Sequence, residues 1–183
     1  MDKKAFLGVL NSRPRRVTFF NLKDQDIVTT PSKLPTPYFI SSCTNTNVDL
    51  SNTKAAQIML QNCTQQVGQF KVSIGSVISS IELIACSNAN IVLLEHSGGG
   101  SLVLDKCSNI NVKLTFDLNG WVIYSNQCQS ITLMFKNVTF EIPRLENHLN
   151  IDDDSFTELR LKTVWIDGQF QTMPCNNYGD QLH

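Results

Sequence analysis

The chain lacks several features that mark common classes of function. It has no apolar run approaching the roughly 18–20 residues that a membrane-spanning helix needs. Its 15 basic and 16 acidic residues nearly cancel, which gives no bulk electrostatic case for nucleic acid or an anionic membrane. The glycine-rich phosphate loops and the G-x-S-x-G nucleophile motif are absent. We therefore expect no nucleic-acid binding and no membrane insertion.

Metal, cofactor and export signals are also missing. The sequence has only three histidines and no closely spaced C-x-x-C pair, so it predicts neither a metal site nor a cofactor. Met1–Leu10 is charged at its start, and its apolar part is too short for a secretory signal. We therefore expect a cytoplasmic protein whose six cysteines stay reduced.

What the chain does have is a cysteine that returns about every 21 residues. Apolar residues recur five and three positions before each cysteine, and five and seven positions after it. A fixed period of this size indicates one supersecondary unit stacked on copies of itself. The repeated cysteines are Cys43, Cys63, Cys86, Cys107 and Cys128.

Each repeat contains two short alternating runs, which is the period of a β-strand, and no segment sustains a helical period. Around Cys107, the pattern predicts strands at Ser101–Leu104 and Asn111–Phe116. Two strands and two turns per repeat make one flattened coil, whose strands pair in parallel with those of the next coil. We predict an all-β fold, a right-handed parallel β-helix of five to six coils over residues 17–143. It follows a tail at 1–16 and begins with a strand at Val17–Phe20.

The period stops after Phe140, and the sequence then changes character. Residues 144–158 form a polar, acidic connector, and residues 159–183 contain two apolar alternating runs around a turn at Asp167–Gly168. The two runs, Leu159–Trp165 and Gln169–Met173, predict a β-hairpin. A hairpin has no core of its own. We therefore expect it to dock on its own last coil or on another chain.

The stacked cysteines are predicted to be structural. Disulfides between neighbouring coils would satisfy the permitted spacing, but a reducing compartment opposes them. A nucleophile needs a basic partner, and a column repeated five times does not resemble an active site. Two residues after each cysteine we expect turn residues with left-handed backbone and a short polar ladder. These are Asn45, Gln65, Asn88, Asn109 and Ser130.

The register also tests for catalytic carboxylates, which many β-helices cluster on one outer face. Glu82 falls between two apolar residues, and Asp105 has no acidic neighbour in adjacent coils. His96 and Asp117 would be neighbours near a far turn, where a surface pair is the expected arrangement. Asp152–Asp154 lacks the spaced ligands of a calcium loop and is expected to be a solvated connector. The sequence does not predict an enzyme.

Four segments together resemble the C-terminal domain of the cyclase-associated protein family. Two carry the coil motif of that family, and the other two resemble its tail, in which a V-L-I-P segment precedes K-T-x-W-x-G. The resemblance extends over about Val17–Met173. The segments are Tyr38–Leu50, Ile81–Leu93, Phe140–Pro143 and Leu161–Gly168.

The resemblance implies a cytoplasmic, cytoskeleton-associated protein that binds monomeric actin, preferentially in its ADP-bound form. In this family the domain promotes exchange of the actin-bound nucleotide and helps recycle monomers. It dimerises by exchanging its C-terminal hairpins, which implies a homodimer here. The interface residues implied by position are Leu161, Thr163, Trp165, Phe170 and Thr172.

We expect actin to contact an outer sheet face together with the connector. Charged side chains there are the candidates, namely Lys71, Lys106, Lys113, Asp152, Asp153 and Asp154. The sequence shows no counterpart of the family's helical N-terminal domain or proline-rich stretch, so functions tied to those parts are not expected.

Two other functions remain open at this point. The tubulin-cofactor-C-like domains share the β-helix but activate GTPases with an arginine that projects from a coil. No arginine occurs here between Arg16 and Arg144, which disfavours that alternative. A carbohydrate-active β-helix is the third hypothesis, and it would need Asp117 as a catalytic carboxylate.

Overall fold

The computed structural model describes residues 15–31, 34–94, 100–144 and 160–175. Within these residues the chain is all β, with 14 strands joined in one sheet that winds into a solenoid of about five turns. The predicted fold class is confirmed. The described residues form no helix that could span a membrane.

Most coils contribute two strands, one on each side of the repeated cysteine. The continuous sheet therefore has two sides. We call the side formed by the strands before the cysteines sheet A, and the side formed by the strands after them sheet B. The strands are β1 Val17–Phe20, β2 Ile27–Val28, β3 Thr36–Ser41, β4 Val48–Gln61, β5 Phe70–Val77, β6 Ser80–Ile84, β7 Ser87–Leu93, β8 Gly100–Asp105, β9 Ser108–Leu114, β10 Trp121–Asn126, β11 Gln129–Phe135, β12 Val138–Ile142, β13 Arg160–Ile166 and β14 Gln169–Cys175.

Stacking is parallel and in the predicted register. In sheet A, β8 pairs with β6 on one side and β10 on the other, so that Leu102 aligns with Ile81 and Ile123. In sheet B, β9 pairs with β7 and β11 in the same way. The long strand β4 belongs to both sheets, because its first part pairs with β2 and β5 and its last part with β3 and β6.

The core consists of aliphatic ladders that run along the solenoid axis. Ile81, Leu83, Leu102 and Leu104 have no exposed surface, and their equivalents in the other coils are also buried. Removing apolar surface from water stabilises a fold by about 25 cal/mol per Å². These ladders are therefore the main source of stability.

The repeated cysteines occupy the inner corner of each coil. Four are buried and Cys128 is half-buried, and all are free thiols. Cys86 Sγ lies 3.5 Å from the carbonyl oxygens of both Leu60 and Ile84, and the other corners repeat this pattern. Contact with the Cys63 sulfur, together with burial, raises the pKa of Cys86. The predicted buried position at the inner corner is confirmed for Cys43, Cys63, Cys86 and Cys107.

Each corner uses two left-handed residues, of which the sequence predicted only one. Two positions after the cysteine, φ is positive at Asn45, Asn88, Asn109 and Ser130, as expected. Gln65 is the exception, since Gly68 supplies the positive φ in that wider turn. The residue before each cysteine is also left-handed, with φ between 49° and 55°. These residues are Ser42, Asn62, Ala85, Lys106 and Gln127.

The last coil ends in two antiparallel extensions. β12 turns back along β11 at Lys136–Asn137, which extends sheet B. The hairpin β13–β14 adds to sheet A, because β13 pairs antiparallel with β10 through Ile123↔Thr163. The predicted hairpin is confirmed, and in this single chain it lies on its own last coil.

Candidate interaction surfaces

The outer face of sheet A carries few charges. Its central column, in register from β3 to β10, is Phe39, Met59, Glu82, Val103 and Tyr124. Glu82 is held by the side chains of its neighbours, since Gln57 Nε2 and Ser80 Oγ donate to its Oε1 at 2.8 Å and 2.9 Å. Among the described residues of this face, no second carboxylate stacks on Glu82.

Asp105 and Asp117 also have structural partners. Asn126 Nδ2 donates to Asp105 Oδ1 at 2.9 Å from the next coil. Asn119 donates to both oxygens of Asp117, from its backbone N–H at 3.3 Å and from Nδ2 at 2.8 Å. The predicted partner of Asp117, His96, lies outside the described residues. Asp105 and Asp117 are thus each hydrogen-bonded to a neighbouring asparagine side chain.

The outer face of sheet B is the charged one. Lys71 and Lys113 are both exposed on it, two coils apart, because Lys71 aligns with Asn90 and Asn90 with Asn111. Hydrogen bonds from the Ser51 side chain and backbone N–H, together with the Lys71 ammonium, lower the pKa of Asp49. Lys106 is exposed at the Cys107 corner instead. Asp152–Asp154 lies outside the described residues.

Side-chain amides form two ladders along one edge of sheet B, and only the first was predicted. Two positions after the cysteines, Asn109 Nδ2 donates to Asn88 Oδ1 at 2.7 Å. Four positions after them, Asn111 Nδ2 donates to Asn90 Oδ1 at 3.1 Å. The recurrence of asparagine at both positions was the signal that could have revealed the second ladder. Both ladders fix the turns between coils.

The five predicted interface residues share the inner face of the hairpin. Leu161, Thr163 and Phe170 are buried there, and the hydroxyls of Thr163 and Thr172 are 2.8 Å apart. Trp165 contacts the rings of Phe135 and Phe170, each with 4.8 Å between centroids, and Phe140 lies 5.4 Å from Phe170. We call Phe135, Phe140, Trp165 and Phe170 the aromatic cap. It seals the end of the solenoid within one chain.

A groove of about 710 Å³ lies where sheet B ends, beside the aromatic cap. Its walls are the end of β9 with the loop that follows, and the turn between β11 and β12. Met134 and the exposed Val138 give it an apolar surface, and Lys113, Lys136 and Asp117 are its charged residues. The sequence analysis did not predict this groove, because it depends on the reversal of β12.

The fold defines a protein of the parallel β-solenoid class, whose outer faces differ in polarity. The family model described as "Adenylate cyclase associated (CAP) C terminal" matches residues 10–175. The chain therefore belongs to this family. A comparison with curated proteins found no similar sequence.

The family assignment supports an actin-binding role of a general kind, in a family that is non-enzymatic and cytoskeleton-associated. The match includes the solenoid and the β13–β14 hairpin. The tail segment therefore shares the family relationship with the coils.

Proposed function

We propose that this chain binds monomeric actin in its ADP-bound form, promotes exchange of the actin-bound nucleotide, and so returns monomers to the polymerisable pool. The single observation that carries the proposal is the family match over residues 10–175, on a chain that folds as the corresponding solenoid. The carboxylates of Glu82, Asp105 and Asp117 accept hydrogen bonds from neighbouring side chains, which fits a binding role.

The outer face of sheet B is the proposed actin contact. A specific protein interface buries about 800 Å² on each partner, which a flat face of several coils can supply. Lys71 and Lys113 lie on this face, where exposed charges steer association with an acidic partner surface. Lys106, at the Cys107 corner, is a further candidate, and so are the connector residues Asp152–Asp154, which lie outside the described residues.

The hairpin is proposed to exchange between two copies of the chain. β12 ends opposite Ile131, and β13 pairs with β10 as far as Leu161 opposite Ser125, so the connector joins strands on either side of the Cys128 corner. The 17 residues 143–159 greatly exceed what this short gap requires. At about 3.3–3.6 Å per residue, a segment of that length reaches at most about 60 Å. It therefore permits the hairpin to dock on its own solenoid or on a partner's.

Exchange replaces each contact between the hairpin and its own solenoid by an identical contact with the partner's solenoid. The dimer is therefore stabilised only by the additional contacts between the two copies. We expect the mass in solution to rise from monomer to dimer as concentration increases, and deletion of residues 159–183 to abolish the dimer. Light scattering on both proteins measures this. A full-length chain that stays monomeric at millimolar concentration would exclude the exchange.

Actin binding is tested by titrating fluorescently labelled ADP-actin with the full chain, and nucleotide exchange by release of a fluorescent nucleotide. We expect the double variant Lys71→Glu/Lys113→Glu to weaken binding by about tenfold, because two contacts change from attraction to repulsion. The matched control is Arg15→Glu/Lys23→Glu, which makes the same change of charge at exposed positions, one before β1 and the other at the corner of the first coil.

Absence of binding between the chain and ADP-actin at tens of micromolar would contradict the proposal. Equal losses in both double variants would leave actin binding standing but would move the contact away from sheet B.

A further inference from the structure

The groove beside the aromatic cap has the composition of a site for an anionic, partly apolar ligand. Lys113 and Lys136 line it together with Met134 and Val138. Val138 is 36% exposed, although it lies at the start of a strand. The volume of the groove, about 710 Å³, far exceeds that of a single bound anion and falls in the range of ligand sites.

The two lysines are close together near the ends of neighbouring strands. Lys113 aligns with Met134 on the adjacent strand, and Lys136 follows Met134 by two residues. One strand spacing and two residues along a strand separate their Cα atoms by about 8 Å. Neither ammonium pairs with a carboxylate in the part of the chain that the structure describes.

Two other groups of the lining affect its lysines and its charge. Lys136 Nζ lies 5.1 Å from the centroid of the Phe135 ring, which holds the ammonium at the rim. Both oxygens of Asp117 accept hydrogen bonds from the neutral Asn119, so this carboxylate keeps its charge, and two lysines against one aspartate leave the lining with a net positive charge. Lys71 on the same sheet face differs, because its charge acts on Asp49.

We infer that this groove binds an extended acidic segment of a partner protein, in which carboxylates on alternate residues contact Lys113 and Lys136. Alternate residues of an extended peptide are about 7 Å apart, which matches the separation of the two lysines. A large apolar side chain of the same segment lies against Met134 and Val138. The inference is independent of actin, since it rests only on the groove.

The test uses the full chain and two labelled eight-residue peptides, one alternating aspartate with valine and the other alternating lysine with valine. Fluorescence anisotropy measures the affinities, and amide chemical shifts map the site. We expect only the aspartate peptide to bind. Its affinity should fall about tenfold in Lys113→Glu/Lys136→Glu and about threefold in Met134→Ala, while Lys71→Glu changes it less than twofold.

Unchanged melting temperatures are the control for folding, since both lysines are exposed. Inorganic phosphate at millimolar concentration is the competitor, and it distinguishes a site for an acidic peptide from a site for any small anion. Full displacement of the peptide by phosphate would overturn the inference in favour of a simple anion site. Failure of the aspartate peptide to bind below 1 mM, or an equal loss in Lys71→Glu, would also overturn it.

Discussion

The two ends of the solenoid cover the core in different ways. At the N-terminal end the first coil has strands of only four and two residues, and Phe20 and Val28 are 59% and 74% exposed. At the C-terminal end β12 and β13–β14 extend both sheets, and the aromatic cap fills the space between them.

The difference lies in where large buried side chains cover the end of the core. The two ends of a solenoid need covering, because a coil there has a neighbour on one side only. The first coil places Leu22 where later coils have cysteine, and its corner is only half-buried. The last coil instead recruits a separate hairpin. The C-terminal end is therefore where substitution should cost most, and it is the end beside which the groove lies.

The largest expected effect is at the aromatic cap. Phe170→Ala should lower the free energy of unfolding by about 3 kcal/mol, because a buried ring leaves a cavity against Trp165 and Phe140. For a chain of this size that shifts Tm by about 6–12 °C. Phe20→Ala is the matched substitution at the other end and should change stability by less than about 0.5 kcal/mol. Thermal unfolding measures both, and equal losses would erase the distinction between the ends.

The cysteine corners should show a smaller, graded effect. Cys86→Ala should cost about 1 kcal/mol, since a buried sulfur and its contacts with two carbonyls are lost. Cys128→Ala, at the half-buried corner of the last coil, should cost about half as much. Denaturant titration with the slope held in common compares the two. A larger loss at Cys128 would show that the hairpin, rather than coil stacking, determines the strength of that corner.

Much of this architecture could be predicted from the repeat. The cysteine period indicated the coils, their register and the flanks of Glu82 and Asp105, because stacking aligns equivalent residues. The hairpin could be predicted as well, since its alternation flanks an Asp167–Gly168 turn. These features depend on patterns that the sequence displays directly.

Three features could not be predicted. The reversal of β12 is hidden because Val138, Phe140 and Ile142 alternate just as a further parallel strand would. The left-handed residue before each cysteine is hidden because Ala85 and Lys106 carry no preference for that conformation. The groove follows from the reversal, so it was hidden for the same reason.

The smallest expected effect concerns the residue that precedes the corner residue, compared between the first coil and the last coil. Asn21 and Gln127 each precede a corner residue, are exposed, and have φ of 55° and 49°. Asparagine adopts this conformation at a lower cost than glutamine does, so Gln127→Gly should raise the free energy of unfolding by about 0.5 kcal/mol, even after the greater chain entropy of glycine. Asn21→Gly should leave it within a few tenths of the original. Precise denaturant titrations resolve the difference. A loss at Gln127 would mean that its side chain, rather than its backbone, stabilises the last corner, and would place part of the C-terminal end's stability outside the aromatic cap.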